Sequence, residues 1–423
     1  MCKLLIKGGR PLNGCIDIQG SKNAVLPMLA AAILADDKSV IYNCPKLTDV
    51  ETSIDILTHI GCKVKYEGTT LEIDAKGISC GEIPESLMSK MRSSITFLGA
   101  LTVRCRYAKM SSPGGCELGP RPIDLHIKAL RDLGVEVFEQ GGNIHTKADI
   151  IRGNKIHLAF PSVGATENVM ITASTAKGVT VITNAAREPE IEDLQDFLVS
   201  MGAKIKGAGT DEIIIVGVKK LHGANHFVIS DRIVASTYLC ALAITGGKGE
   251  IRNIVPEHLN AVLAALKDSG VKTDIQNKTI YVDAPKRLLP IGIIRTMPFP
   301  GFPTDAQAAF SAMLSVAAGT SIIVENIFEN RFRHCDELVK MGANIKINGR
   351  VCVISGVEKL EGASVTAMEL RGGAALAIAA CAAEGETEIK SIEFVDRGYI
   401  DIATDLASLG ADIKRFKGKT YNN

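Results

Sequence analysis

Residues 201–217, MGAKIKGAGTDEIIIVG, put an apolar residue and a glycine ahead of two short strand-forming runs. Glycine directly after a helical position is the residue a left-handed helix C-cap calls for, since a Cβ there is strained. The segment upstream, Glu192 to Met201, has the apolar spacing of an amphipathic helix, and the two runs around GAGTDE read as a hairpin. The same signature returns at Ile60-Gly61-Cys62-Lys63-Val64, Leu133-Gly134-Val135-Glu136-Val137, Ser269-Gly270-Val271-Lys272-Thr273, Met341-Gly342-Ala343-Asn344-Ile345 and Leu409-Gly410-Ala411-Asp412-Ile413. Subtracting the glycine positions in order gives spacings of 73, 68, 68, 72 and 68. Six units of about 70 residues therefore fill the chain, a period longer than that of the usual solenoids.

Between hairpins lie helices rich in small residues: AVLPMLAAAILAD (24–36), ENVMITASTAKG (167–178), IVASTYLCALAITGG (233–247), AAFSAMLSVAAGT (308–320) and GGAALAIAACAAEG (372–385). A strand follows each, as in VTVITNA and TSIIVENI. Each unit is α+β, with the small-residue helix buried against its own sheet. At 423 residues the chain exceeds what one core holds, so three units per domain is the natural division, with a ligand in the cleft between domains.

Composition excludes several classes. Net charge is +1, so no overall field recruits nucleic acid or an anionic membrane. Aromatics are 4% and Trp is absent, which leaves no stacking platform for single strands. No apolar run reaches a bilayer span, and the run in MCKLLIKGGR is too short for a secretory signal, so a cytoplasmic protein is expected. Eleven cysteines, an odd number with no C-x-x-C pair, fit a reducing compartment and no metal ribbon.

Candidate chemistry sits at a few positions. Cys116 lies in SSPGGCELGPRPIDLHIKAL (111–130), where glycines allow movement and Arg121 favours thiolate, although a core thiol is also open. Lys22 opens a helix after Gly20-Ser21 and suits an anion; an exposed lysine would read alike. Asp305, in FPGFPTDAQAAF, reads either as a fixed base or, with Thr304, as a helix cap. Arg92, Arg121, Arg187, Arg331, Arg371 and Arg397 occupy loop settings and could converge on a polyanion. No P-loop, H-E-x-x-H or G-x-S-x-G occurs, and His222 and His226 in HGANH read as a loop.

The motifs GSKNAVLP, PGGCELGPRPIDLH, GATENVM, NAAREPEI, FPGFPTDAQ, IFENRF and DRGY together resemble the bacterial UDP-N-acetylglucosamine 1-carboxyvinyltransferases, from Lys3 to about Gly418. The resemblance implies two inside-out α/β domains of three βαβαββ-type units each. Residues 1–21 with 230–423 would form one, carrying Asp305, Arg331, Arg371 and Arg397, and residues 22–229 the other, carrying a Cys116 lid loop. It implies transfer of enolpyruvyl from phosphoenolpyruvate to the 3′-hydroxyl of UDP-N-acetylglucosamine, the first committed step of peptidoglycan synthesis, with no cofactor, metal or nucleic acid. Cys116 would be proton donor, adduct former and fosfomycin target, Asp305 the base. Lys22, Asn23, Arg121, Arg331, Arg371 and Arg397 would hold phosphoenolpyruvate. Asn23, Arg92, Arg121, Pro122, Ile123, Asp124, Leu125, Ser162, Val163, Gly164, Asp305 and Ile327 would contact the UDP-sugar.

Two positions depart from the family pattern: Glu369, where an Asp is usual, and Val234, where an acidic residue is usual. Glu369 is expected to shift Arg371, and Val234 to alter contacts near the domain crossover. The shikimate-pathway enolpyruvyl transferase shares fold and donor, but the P-G-G-C loop and RPIDLH are not expected there. A relative acting on RNA ends fits poorly with the charge and aromatic content. A paralogue that binds UDP-sugar or a protein without turnover is the alternative of a different class, and phosphate release separates it.

Overall fold

All six repeat glycines have positive φ, from 82° at Gly134 to 104° at Gly61. Each ends a helix: Thr48–His59, Asp124–Asp132, Pro189–Ser200, Asn260–Asp268, His334–Lys340 and Ile402–Ser408. At Gly61 the glycine N–H donates to Thr58 O (3.1 Å) and the Cys62 N–H to Leu57 O (2.9 Å). That pair of bonds is the Schellman arrangement, and it recurs at the other five. The repeat is thus a helix stop that turns the chain into its hairpin.

The computed structural model describes residues 2–114 and 123–416. Among them are six four-stranded sheets of one topology. In the third, Lys155–His157 runs parallel to Val179–Thr183, which pairs antiparallel with Glu212–Val216, itself antiparallel to Lys204–Lys206. The helix Val163–Ala173 joins the parallel pair, and Pro189–Ser200 leads into the hairpin. This is the βαβαββ order.

Two sheets take strands from the start of the sequence. Lys3–Lys7 lies between Glu386–Lys390 and Asp412–Phe416, and Asn13–Asp17 pairs parallel with Lys248–Arg252. The strand Asn225–Phe227 closes the sheet begun by Lys38–Tyr42. The chain accordingly folds as two compact units. One takes residues up to Gln19 and from Ser230 on, and the other takes the described residues between Gly20 and Ile229.

Each unit has its own core. In one, helices Arg232–Ile244, Gln307–Leu314 and Leu370–Ala382 pack on one another; in the other, Lys22–Ala32, Thr96–Cys105 and Val163–Ala173 do. They are buried on every side, as at Ala24 to Ala32, which is why they show no polar stripe. Small residues let them meet: a Cβ on Gly99 would lie 2.1 Å from Asn168 Oδ1 and Thr172 Oγ1. The sheets lie outside, so each domain is inside-out. One expectation fails: His226 is on a strand, not in a loop, and bonds Asp193 Oδ1 through Nε2 (2.7 Å).

Candidate active site

Asp305 lies in a 3₁₀ turn, Thr304–Ala306, and is the N-cap residue of neither that turn nor the helix Gln307–Leu314. Its neighbour Thr304 donates from Oγ1 to Glu325 Oε2 (2.9 Å), so the capping alternative fails for both residues. Asp305 Oδ1 instead accepts from Arg331 Nη2 at 2.6 Å, and Oδ2 lies 3.7 Å from Arg371 Nη2. The two arginines are 4% and 5% exposed, whereas the Asp305 side chain is 28% exposed. The carboxylate is therefore the outward end of a buried ion cluster.

The arginines stay charged despite burial. Burial works against Arg331, and Asp305, Glu369 and Glu325 outweigh it. Burial also works against Arg371, with Tyr399, Asp305 and Asp231 outweighing it. Arg331 lies over Phe328 at 5.0 Å and Arg371 over Tyr399 at 5.6 Å, donating to its hydroxyl at 3.4 Å. Arg331 Nε is buried with no hydrogen-bond partner among the described residues. Two guanidiniums meet at one outward carboxylate, and one of their donors is unsatisfied and could serve a ligand acceptor.

The Glu369 carboxylate caps the helix Leu370–Ala382, accepting from Arg371 N (2.8 Å) and Gly372 N. The Glu369 carboxylate is thus engaged by its own helix, and Arg371 Nη2 lies 3.7 Å from Asp305 Oδ2. Val234 is buried and gives its N–H to Asp231 Oδ1 (3.0 Å). Arg92 and Arg397 belong to short 3₁₀ turns and Arg371 to the first turn of the long helix Leu370–Ala382, not to loops. Arg397 is half-buried, and the backbone just after it is clamped by Gln19, which donates to Gly398 O (3.1 Å) and accepts from Ile400 N (3.0 Å).

Glu325 is a residue beside Asp305 that sequence reading missed. It is fully buried; Oε1 accepts from Thr296 Oγ1, Ile327 N and Phe328 N at 2.9, 2.8 and 3.1 Å, and Oε2 from Thr304. It ties the segment before Asp305 to the segment of Ile327, whose N–H is thereby used. Its sequence signal was faint: an acidic residue ending the apolar run TSIIVE.

In the other unit, Lys22 begins the helix Lys22–Ala32 with Asn23, behind the Ser21 cap. Its side chain is 11% exposed and its Nζ lies 2.8 Å from Asp49 Oδ2, so it is not an ordinary exposed lysine. Arg92 begins the 3₁₀ turn Arg92–Ile95 and donates to Pro113 O at 3.4 Å. Ile123 precedes the helix that starts at Asp124 and Leu125 without a side-chain cap, and Ser162 caps the helix that starts at Val163 and Gly164. Asn168 links two of these segments, donating to Ile95 O and to the ring of His126, both at 3.1 Å. Cys116, Arg121 and Pro122 lie outside the described residues. No group of potential metal ligands and no helix long and apolar enough to cross a membrane occurs among the described residues.

Two buried histidines carry a pH dependence. Burial, then the Arg92 charge, pushes His126 down to about 4; burial, then Arg331, pushes His334 down to about 3. The unfolded chain binds these protons near pH 6.5 and the folded chain does not, so unfolding takes up protons below that pH. Their stabilisation is complete above about pH 6.5 and is lost as pH falls toward 4, by up to about 3 kcal/mol for His126 alone. Burial raises Asp405 to about 6, and that group works in the opposite direction between about 6 and 3.8. Thermal melts from pH 7.5 to 4.5 check this, and a midpoint that does not fall with pH would contradict it.

The chain matches the family model for EPSP synthase (3-phosphoshikimate 1-carboxyvinyltransferase) over residues 6–406. It is 52% identical over 415 residues to UDP-N-acetylglucosamine 1-carboxyvinyltransferase 2 of Caldanaerobacter subterraneus subsp. tengcongensis, covering 98% of this chain and 100% of that protein. The chain belongs to the enolpyruvyl transferases, among the UDP-N-acetylglucosamine 1-carboxyvinyltransferases. A further relative, UDP-N-acetylglucosamine 1-carboxyvinyltransferase 1 of Halalkalibacterium halodurans, is 48% identical, over 98% of this chain and 94% of its own. Among solved structures, the enolpyruvyl transferase NikO from Streptomyces tendae superposes with a TM-score of 0.88 at 25% identity, covering 98% of both chains. EPSP synthase from Acinetobacter baumannii shares the enolpyruvyl transferase fold, with a TM-score of 0.76 at 18% identity over 99% of this chain and 100% of that one.

Proposed function

We propose that this enolpyruvyl transferase moves the enolpyruvyl group of phosphoenolpyruvate to the 3′-hydroxyl of UDP-N-acetylglucosamine in the cytoplasm, with release of phosphate. Supporting the reaction are the names of relatives at 46–52% identity along nearly the whole chain. Supporting the site is one observation above the rest: Asp305, partly exposed, held between two buried arginines.

The roles follow from the chemistry. The Cys116 thiol gives a proton to the methylene carbon of phosphoenolpyruvate, and Asp305 takes the proton of the attacking hydroxyl. The oxygen adds to the cationic carbon to give a tetrahedral intermediate. Phosphate then leaves with its C–O bond electrons as a proton is lost from the methyl carbon, restoring the double bond. Arg331 and Arg371 face the carboxylate of phosphoenolpyruvate, and Lys22, Arg121 and Arg397 its phosphate. Asn23, Arg92, residues 121–125, Ser162–Gly164, Asp305 and Ile327 hold the UDP-sugar, with the Cys116 loop as lid. The scheme involves no electron transfer and asks for no cofactor.

Phosphate release should require both substrates, be abolished by fosfomycin and fall at least about 100-fold in Cys116→Ser. Folded protein that binds UDP-N-acetylglucosamine but releases no phosphate would replace this reading with a binding paralogue.

A further inference from the structure

The 3₁₀ helix Ile392–Arg397 ends at Arg397, and Asp401 caps the next helix, Ile402–Ser408. Both ends of this link are held. Asp396 pairs with Arg415, and Asp401 Oδ1 accepts from Ala403 N (3.1 Å) and lies 3.6 Å from Arg415 Nη1. Between them, Tyr399 turns its side chain into the core, where it is 1% exposed. Its hydroxyl shares a hydrogen bond with Thr237 Oγ1 (2.7 Å). These contacts fix the Tyr399 side chain, but they do not set the two peptide planes on either side of its Cα.

Those planes are set by Gln19. Its Nε2 donates to Gly398 O at 3.1 Å, and its Oε1 accepts from Ile400 N at 3.0 Å. One planar amide thus bonds the carbonyl before Tyr399 and the N–H after it, the pair that a residue of a parallel strand would bond. The anchor is itself fixed. Gln19 O accepts from Asp231 N (2.9 Å), and Ile18 donates to Arg252 O (3.0 Å) and accepts from Asn253 Nδ2 (2.9 Å). Gln19 and residues 392–401 belong to the same compact unit. Ile400 is 43% exposed and borders, with Gln19 and Asp401, a cavity of about 260 Å³, so close packing does not hold the segment on that side.

We propose that Gln19 is a positioning residue of the phosphoenolpyruvate site, which aims Arg397 by pinning the backbone of Gly398 and Ile400 directly after it. This rests on the assignment of Arg397 to the phosphate. Gln19 itself touches no substrate. Without the clamp the chain can turn at Gly398, the guanidinium spreads over more directions, and binding the phosphate has to order it again. The loss falls on the donor and on released phosphate, and the acceptor is unaffected.

The test compares full-length wild type, Gln19→Met, Gln19→Ala, Arg397→Ala and the double variant Gln19→Met/Arg397→Ala. Each is measured by steady-state kinetics for both substrates, by product inhibition with inorganic phosphate and by a thermal melt. Met keeps the length of Gln without its amide, and Ala loses the packing as well. Loss of the clamp predicts that both raise KM for phosphoenolpyruvate and Ki for phosphate about 5- to 50-fold, and to the same extent. KM for UDP-N-acetylglucosamine and kcat should stay within about threefold, with melting near wild type. In the Arg397→Ala background, Gln19→Met should add less than about threefold, because the residue it positions is gone. Three results would overturn the proposal: wild-type KM and Ki in folded Gln19→Met, an Ala variant far worse than Met with a lowered midpoint, or the full Gln19→Met loss repeated on top of Arg397→Ala. Wild-type Ki for phosphate in Arg397→Ala alone would instead overturn the assignment of Arg397, on which the proposal stands.

Discussion

Asp305→Asn is expected to cut kcat for phosphate release about 10²- to 10⁴-fold, the range a positioned general base contributes. The carboxamide is nearly isosteric and cannot take a proton from the attacking hydroxyl. It also changes the ion cluster. With Arg331 Nη2 at 2.6 Å and Arg371 Nη2 at 3.7 Å, an amide can offer its oxygen to one arginine and must turn its NH₂ toward the other. Two buried guanidiniums would then lose the carboxylate they share, keeping only the charges of Glu369, Glu325 and Asp231, which costs on the order of 3 kcal/mol. The variant should therefore melt lower and turn over far more slowly. Inorganic phosphate or another small anion should stabilise it more than it stabilises wild type, because the uncompensated positive charge gives the anion more to bind. Single-turnover phosphate release measured below the melting range separates the two effects. Turnover within tenfold of wild type would remove Asp305 from the role of base.

How much of this could be read from the sequence depended on the range of the interaction that fixes each residue. The helix-stop glycines were legible because a left-handed C-cap is decided by a few neighbouring residues. All six positions marked by the apolar-Gly pattern have the φ and the paired bonds that the pattern requires. The small-residue helices were legible for a related reason, as helices buried on all sides need no polar stripe. Side-chain partners were not legible. Asp305 meets Arg331 across 26 residues and Arg371 across 66, counted from their numbers, and only the fold brings them together. In isolation Asp305 looks like a helix cap, and the cap preference is a local statistic that the ion cluster overrides.

The same limit explains three other positions. Lys22 was recognised as a helix-start cation, but its partner Asp49 lies on the buried face of the next helix and carries no local mark. Glu369 was read through its effect on Arg371, yet its carboxylate caps its own helix, a task for which Glu is not a favoured residue. His126 stood in a motif that was noticed, while the side chain that orients its ring is Asn168, 42 residues on.

Glu325→Ala should be the most destabilising single change in the Asp305 unit outside its apolar core. Removing the carboxylate strands four donors at once: the hydroxyls of Thr296 and Thr304 and the N–H groups of Ile327 and Phe328. Each buried donor left without an acceptor costs about 1–3 kcal/mol, and a rotating hydroxyl or an entering water recovers part of it. A net loss of about 4–6 kcal/mol follows, which lowers the melting midpoint by roughly 10–20 °C for a domain of this size. Glu325→Gln is the informative partner. Its Oε1 can keep the three bonds to Thr296, Ile327 and Phe328, and Thr304 can turn its hydroxyl to accept from the new NH₂. It should lose only about 1–2 kcal/mol, the charge assistance of those bonds. A functional effect should remain even in the Gln variant, because Thr304 adjoins Asp305 and Ile327 is assigned to the acceptor. KM for UDP-N-acetylglucosamine should rise while the melting curve stays near wild type. If Ala and Gln melted alike, the four-donor account of Glu325 would be wrong, and burial of the charge itself would be the dominant cost at that position.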